Sequence, residues 1–470
     1  MKTKSILLLF VVFSVIALSC NIPAISQLNN EDTIPEMEES LEQVQVTPTP
    51  KPLQTVVFPD EPPQADLITA DDLMYQGAFR LPEASGGSDW DYSGHGLAYY
   101  PGGDPDGEND NYPGSLFGVG HDQQLFVSEI SIPKPVVSKN LDDLNTATTL
   151  QPFQDITNGA ITDNLALPRL GIEYLPAQGN QSGDKLYFCI GQHIQDFEPS
   201  HGWCDLNLSD PDSQGLWVFD GITNYASNDY IFEIPEEWAN TISPGYRLAS
   251  GRFREGVWGG GGPALFAYSP WQDGNPPQAG TTLNAVKPLL LYGIQEAGMP
   301  DIRFDDTMQM NGYQESDHWL GGAWLTKGER SAVVFTGTKA MGRSWYGYAN
   351  GVIHEHDCAE QNPPTCPDPP EWPYDDRGYW AEDYQAQILF FNPYDLVKVA
   401  NGEIESYEPQ PYAALNIMNV LINPELNMEE YKRDLITSAA FDRERGYLYV
   451  MEKLADEYRS VVHVWKIEAQ

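Results

Sequence analysis

The chain has few positive charges. Its 470 residues include 26 lysines and arginines against 68 aspartates and glutamates, which gives a formal net charge of −42. A protein this acidic repels polyanions at long range, and the sequence shows no run of basic residues that would offset the repulsion. Nucleic acid is therefore excluded as an expected partner.

Long helical patterns are also scarce. Apolar residues with a 3.6-residue period occur only in short stretches such as 394–400 and 427–432. The 41 glycines, the 37 prolines and an aromatic content of 12% are typical of an all-β protein with many turns. The composition therefore predicts an all-β fold.

A weak pattern of apolar strands returns five times along the chain. Each small sheet of this kind buries both faces only when it packs between neighbouring sheets around an axis, which predicts a β-propeller. Five blades are expected, with six or seven as alternative counts and a β-sandwich or two β-domains as alternative folds. Residues 73–82 form a further strand before the first copy, and we expect that strand to join the last blade and close the ring. The copies begin at residues 96, 171, 264, 322 and 438.

The N-terminus has the layout of an export signal. Lys2 and Lys4 precede an apolar run at 6–18 that is too short to span a bilayer. The run ends at Ala17-Leu18-Ser19-Cys20, which resembles the bacterial lipoprotein signal, in which the cysteine becomes the lipidated first residue. The resemblance implies a lipid anchor at Cys20 and a protein in the bacterial cell envelope, facing outward or periplasmic. An ordinary cleaved signal is the alternative.

These features divide the chain into three parts. Residues 1–20 are the signal peptide, and 21–64 are acidic and proline-containing without core-building residues, which predicts a disordered tether. Residues 65–470 form the predicted propeller.

Four cysteines remain after Cys20. They predict two local disulfides, typical of an oxidising compartment. A zinc site built from His354, His356 and the second cysteine pair is the alternative, although its spacing matches no strong zinc pattern. The predicted disulfides are Cys189–Cys204 and Cys358–Cys366.

Polar residues recur where second strands end and where the chain approaches first strands. Because consecutive strands of a blade are antiparallel, these positions share one face of the ring and predict a funnel there. For each of these residues, a structural role in a turn or a solvated loop is the alternative. The candidate catalytic residues are His121, His193, Asp317, Asp434 and Glu452. The candidate substrate-binding residues are His95, Asp122, Arg169, Trp258, His318, Lys339 and Arg343.

A separate acidic loop is a candidate metal site. Asp104, Asp106 and Asp110 offer the oxygen ligands that Ca²⁺ prefers, in a loop whose spacing departs from an EF-hand. A solvated loop without a metal is the alternative.

A lipid-anchored, five-copy propeller with acids near its inner-strand entrances resembles the five-bladed glycosidases in architecture. The resemblance implies a carbohydrate substrate and hydrolysis by two carboxyl groups, drawn from Asp317, Asp434 and Glu452. Two other classes stay open. A polysaccharide lyase would use His121 or His193 as the base beside Arg169 or Arg343, and a non-catalytic propeller would bind a glycan or a protein at the cell surface.

Overall fold

The structure is a computed structural model that describes residues 66–468, except 105–106, 108–110, 163–164, 254–255, 257, 356, 362 and 426–432. Five sheets of four or five strands, antiparallel except for one short added strand, lie in a ring. The first strand of each blade packs beside the first strands of the two neighbouring blades. The protein is a five-bladed β-propeller, which confirms the predicted fold class and the five-blade count. None of the helices in the described ranges is long and apolar enough to cross a membrane.

The strands follow the chain blade by blade. β1 (Leu73–Arg80) precedes the first blade, which contains β2 (Leu97–Tyr100), β3 (Ser115–Val119), β4 (Val127–Ser131) and β5 (Thr149–Gln154). The second blade contains β6 (Arg169–Leu175), β7 (Lys185–Gly191), β8 (His201–Asp205) and β9 (Gln214–Phe219). The third contains β10 (Tyr230–Glu233), β11 (Leu248–Gly251), β12 (Leu265–Tyr268) and β14 (Val286–Leu290), with helix α1 (Glu236–Ile242) after β10. The two-residue strand β13 (Thr282–Leu283) pairs in parallel with β9.

The second half of the ring is built in the same way. A small hairpin of β15 (Ile294–Gln295) and β16 (Ile302–Arg303) leads into the fourth blade. That blade contains β17 (His318–Lys327), β18 (Arg330–Tyr348), β19 (Arg377–Phe391) and β20 (Pro411–Asn416), with helix α2 (Pro393–Ala400) before β20. The fifth contains β21 (Ile436–Asp442), β22 (Tyr447–Asp456) and β23 (Arg459–Ile467).

The N-terminal strand closes the ring, as predicted. β1 pairs antiparallel with β23, from Leu73 opposite Ile467 to Arg80 opposite Val461, so the fifth blade combines both ends of the chain. Phe79 is fully buried between this blade and its neighbour. Burial of an aromatic side chain contributes on the order of 2–3 kcal/mol, so the closure is also stabilised by packing.

The third blade begins earlier in the chain than predicted. The segment at 264–270, expected as its first strand, is the third strand β12, and the first strand is β10. Both β10 and β11 have only four residues and are separated by α1, so neither offers a long alternating pattern.

Each blade buries both faces, which explains why one predicted disulfide is wrong. Cys204 lies opposite Leu186 and packs with Phe188, whereas Cys189 lies opposite His201 and packs with Tyr187 on the other face of the same blade. Side chains that point to opposite faces of a sheet cannot meet the distance and direction that a disulfide requires. Cys189 and Cys204 are both free and buried.

The other predicted disulfide is present. Cys358 and Cys366 are bonded in the segment between β18 and β19, two strands that continue past the blade as a long hairpin. The His354 ring nitrogens lie 3.6 Å from the Cys358 Sγ atom. The two sulfur atoms are bonded to each other, so the structure contains the predicted disulfide and not the alternative zinc site.

Candidate functional site

The approaches to the five first strands meet at the ring axis on one face. They line a small cavity to which each blade contributes at least one residue. The space that the centre of a water molecule can reach inside it is about 20 Å³. That volume holds about one water molecule, so the cavity is sized for a solvent molecule or for one polar group of a ligand. The lining residues are Gly94, His95, Arg169, Asp229, Leu320, Asp434, Thr437 and Lys453.

Close backbone approach shapes one wall of this cavity. Gly94 has a φ of 136°, and a Cβ atom there would lie 2.7 Å from Oγ1 of Thr437. A larger residue would therefore be strained by its dihedral angle and would clash with the fifth blade. Gly94 lets the first and fifth blades meet at the axis.

Asp434 is held as an ionised carboxylate. Its Oδ1 lies 2.8 Å from Nδ1 of His318, and its Oδ2 lies 3.6 Å from Nζ of Lys453. Burial alone would raise the pKa of Asp434, but Lys453 and the hydrogen bond with His318 outweigh it and bring that pKa well below the ordinary value. Nε2 of His318 is buried and has no hydrogen-bond partner within the described residues.

A second carboxylate faces the same cavity from the third blade. Oδ2 of Asp229 lies 3.4 Å from Nη1 of Arg169 and 3.2 Å from Nε of Arg252. Arg252 is itself buried and donates to the backbone oxygens of Gln192 and Asn224, at 2.8 and 3.1 Å. These bonds fix Arg252, and Asp229 with it, relative to the loops of the second blade.

His95 is a neutral imidazole at physiological pH. Burial lowers its pKa, and the nearby Lys453 and Arg169 lower it further, so it lies well below the ordinary value even though Asp434 opposes them. A neutral histidine can accept a proton, and two cations beside it can hold an anionic group.

Asp122 lies on the same face and is close enough to Lys453 for the two charges to interact. Burial raises the pKa of Asp122 above the ordinary carboxyl value, and Lys453 and His121 only partly oppose that increase. Nδ1 of His121 lies 3.2 Å from Oδ1 of Asp122, and its ring meets Tyr92 edge to face. Asp122 and Asp434 therefore have pKa values shifted in opposite directions around one lysine.

Two candidate catalytic acids lie under the surface instead. Asp317 is fully buried, and its Oδ1 accepts from Nζ of Lys339 at 2.7 Å and from the Ala340 N–H at 2.9 Å. Its Oδ2 accepts from the Gln314 N–H at 3.1 Å. The structure gives Asp317 and Lys339 the contacts of a structural ion pair.

Glu452 is also satisfied within its blade. Its oxygens accept from the N–H groups of Asn423 and Ile422, at 2.7 and 2.9 Å, and Oε2 lies 2.6 Å from Nε2 of His463. Nδ1 of that histidine lies 2.8 Å from the hydroxyl of Tyr75 on β1. Glu452 therefore links the closing strand to a neighbouring loop.

The remaining candidates lie outside the cavity. His193 is half-buried, and its backbone N–H donates to the Ala166 backbone oxygen at 2.7 Å. Trp258 is 42% exposed, with its ring 5.1 Å from that of Tyr225. Arg343 is exposed on the long hairpin, 3.7 Å from Glu382.

Two site predictions fall wholly or partly outside the described residues. Cys20, Asp106 and Asp110 are not described, and Asp104 alone has a described backbone, with a φ of 22°. The lipid anchor and the Ca²⁺ site stay predictions.

Sequence reasoning brought together His95, Arg169 and Asp434 but missed Asp229. The prediction took the residues that precede each first strand. It missed Asp229 because it assigned the wrong first strand to the third blade. Applied to β10, which begins at Tyr230, the same rule selects Asp229.

Comparison with known proteins adds little to this geometry. No family model matches the chain, and no curated protein matches it. Among solved structures, the crystal structure of a fructosyltransferase from A. japonicus has a TM-score of 0.33 and 12% sequence identity. The match covers 86% of this chain and 62% of that chain, so less than two thirds of that protein is matched. A likeness this weak carries no argument about activity, and the five-bladed fold rests on the sheets described above.

Proposed function

We propose that this propeller acts on carbohydrate at the funnel face, as a glycoside hydrolase. The observation that carries the proposal is the pair Asp434 and Asp122, two carboxyl groups near Lys453 whose pKa values are shifted in opposite directions. Glycoside hydrolysis uses such a pair, one carboxyl protonated to act as the acid and the other ionised to act as nucleophile or base.

The roles follow from the charges. Asp122 stays protonated to a higher pH than an ordinary aspartate and donates a proton to the leaving oxygen. Asp434, oriented by His318, stays ionised and either attacks the anomeric carbon or takes a proton from water. The cavity beside Asp434 has room for one water or one hydroxyl group, so the sugar ring lies above it at the mouth of the funnel.

Aromatic side chains around the funnel support a carbohydrate ligand. The hairpin of β18 and β19 extends beyond this face and packs Tyr346 against Tyr379, with ring centroids 5.0 Å apart. A Cβ atom at Gly256 would lie 2.4 Å from the Tyr379 ring, so the hairpin lies against the loop after β11. Trp372 is 71% exposed and Trp258 is 42% exposed, and such rings stack on the apolar faces of sugars.

Binding is tested first, by a glycan array and calorimetry with the wild-type protein. We expect oligosaccharide binding that weakens several-fold in Trp258→Ala and is unchanged in Tyr394→Ala, whose ring is 37% exposed on helix α2, at the end of the fourth blade away from the funnel. The absence of carbohydrate binding, together with capture of a protein ligand, would move the protein to the class of surface scaffolds.

Elimination is the second candidate, because one specific observation favours it. His95 is neutral and lies beside Arg169 and Lys453 in the same cavity. A neutral base next to cations that neutralise a uronate carboxylate is the arrangement that a polysaccharide lyase requires. A lyase leaves an unsaturated uronate that absorbs in the ultraviolet, whereas a hydrolase produces only new reducing ends.

We also propose that the protein is anchored to a bacterial membrane through Cys20. The proposal rests on the lysines, the apolar run and the cysteine at the N-terminus. Cell fractionation should find the wild-type chain with membranes and the Cys20→Ser chain released from them. An equal membrane fraction for both would contradict the anchor.

A further inference from the structure

The face opposite the funnel has an open groove lined by positive charges. The turns that join first to second strands lie on that face, because each first strand begins at the funnel and runs away from it. The groove's volume open to the centres of water molecules is about 580 Å³, within the range of small-molecule sites. It is lined by Asn111, Pro113, Lys327, Arg445, Tyr447 and Lys466.

Three cations from two neighbouring blades meet there. Lys327 ends β17 of the fourth blade, Arg445 lies in the turn between β21 and β22, and Lys466 lies near the end of β23. They are separated by up to 139 positions in the sequence (466 − 327), so no run of basic residues indicates the patch. The packing of the fourth blade against the fifth brings them together.

The two lysines form no ion pair with any residue that the structure describes. Across residues 66–468 with the gaps given above, neither Lys327 nor Lys466 has a carboxylate within 4.0 Å. Nζ of Lys327 donates to the Arg445 backbone oxygen at 3.4 Å, and Nζ of Lys466 lies 5.4 Å from the ring centroid of Tyr447. Arg445 is partly neutralised by Glu444 at 3.4 Å and Asp442 at 3.7 Å.

This arrangement is unusual for so acidic a chain. With 68 acidic residues against 26 lysines and arginines, an exposed cation has abundant carboxylates to pair with. Two ammonium groups that face one groove, with no carboxylate partner in the described part of the chain, give a local positive potential that concentrates anions there. The ring face of Tyr447 keeps the Lys466 ammonium near the groove through a cation–π contact.

We propose that this groove binds a small molecule that carries two or more carboxylate, phosphate or sulfate groups. The ammonium groups of Lys327 and Lys466 each bind one oxyanion group by charge. The planar guanidinium of Arg445 donates two parallel hydrogen bonds to a further oxyanion group. The site is independent of the funnel and of the reaction proposed there.

Calorimetric titration of the full-length protein tests the proposal, with citrate, pyrophosphate and a sulfated disaccharide as separate probes. We expect saturable binding of at least one probe with a Kd of about 1 mM or tighter, weakened by added salt. The probe that binds most tightly identifies the oxyanion class.

Matched charge variants then locate the site. Lys327→Ala/Lys466→Ala should weaken binding at least about five-fold, since two charge contacts are lost. Lys134→Ala/Lys139→Ala removes the same charge at two exposed lysines outside the groove and should leave Kd within about two-fold of the wild type. Thermal melts of both variants check that each is folded.

No saturable binding of any probe to the wild type would overturn the proposal. Equal weakening by the two double variants would also overturn it, because the effect would then come from net charge rather than from the groove.

Discussion

Removal of the Asp317 carboxylate should destabilise the propeller strongly. In Asp317→Ala, the Lys339 ammonium stays 3% exposed, and its remaining hydrogen-bond acceptor among the described residues is the Ala340 oxygen at 3.0 Å. Two backbone N–H groups also lose their acceptor. Breaking one side of a buried ion pair costs about 3–5 kcal/mol, a large share of the roughly 5–15 kcal/mol that a folded protein has.

The double variant Asp317→Ala/Lys339→Met should recover at least about half of that loss, because it removes the unpaired buried charge as well. The matched control is Asp395→Ala, which breaks the exposed pair between Asp395 and Lys398, with N and O atoms 2.8 Å apart. We expect the control to change the free energy of unfolding by less than about 1 kcal/mol.

Urea denaturation followed by tryptophan fluorescence measures all three variants. An Asp317→Ala midpoint as close to the wild type as that of Asp395→Ala would refute the structural role of the pair. A double variant less stable than the single one would refute the charge argument. Turnover that persists in folded Asp317→Ala would agree with the absence of this residue from the reaction.

Three further predictions follow from the same structure. If Asp122 is the proton donor, activity falls as pH rises through its raised pKa, so the alkaline limb of the kcat/KM profile lies above the usual carboxyl range and is absent in Asp122→Asn. Deletion of residues 66–82 removes the strand that closes the ring and should abolish cooperative unfolding in a denaturant titration, whereas a normal transition would show that β1 is dispensable. Thiol titration of a denatured, unreduced chain that begins after residue 20 should find two free thiols, from Cys189 and Cys204, and a count of zero or four would contradict the cysteine pairing described here.

Much of the ring could be predicted from the sequence, because most blades carry at least two long apolar strands. The fourth strands of the first and fourth blades escaped prediction, since β5 and β20 each bury one residue in six and lack a clear pattern. The third blade was shifted for a related reason, because the four-residue strands β10 and β11 are too short to show a period.

The site was predicted in position but not in its contacts. Counting residues before and after strands placed His95, Arg169 and Asp434 on one face, and the structure brings them into one cavity. The same counting could not reveal that Asp317 pairs with Lys339, because the partner of a buried charge depends on how β17 and β18 pair. Nor could it reveal the basic groove, whose cations meet only where the fourth blade packs against the fifth.

Product analysis with purified variants tests the proposed reaction most directly. Once the wild-type protein has been matched to an oligosaccharide by binding, its products are assayed for reducing ends and for ultraviolet absorbance. We predict new reducing ends without unsaturated products, and a loss of about 10²–10⁴ in kcat for Asp434→Asn and for Asp122→Asn. Turnover within a few-fold of wild type in both variants, or no turnover in the wild-type protein on any glycan that it binds, would contradict catalysis at this face.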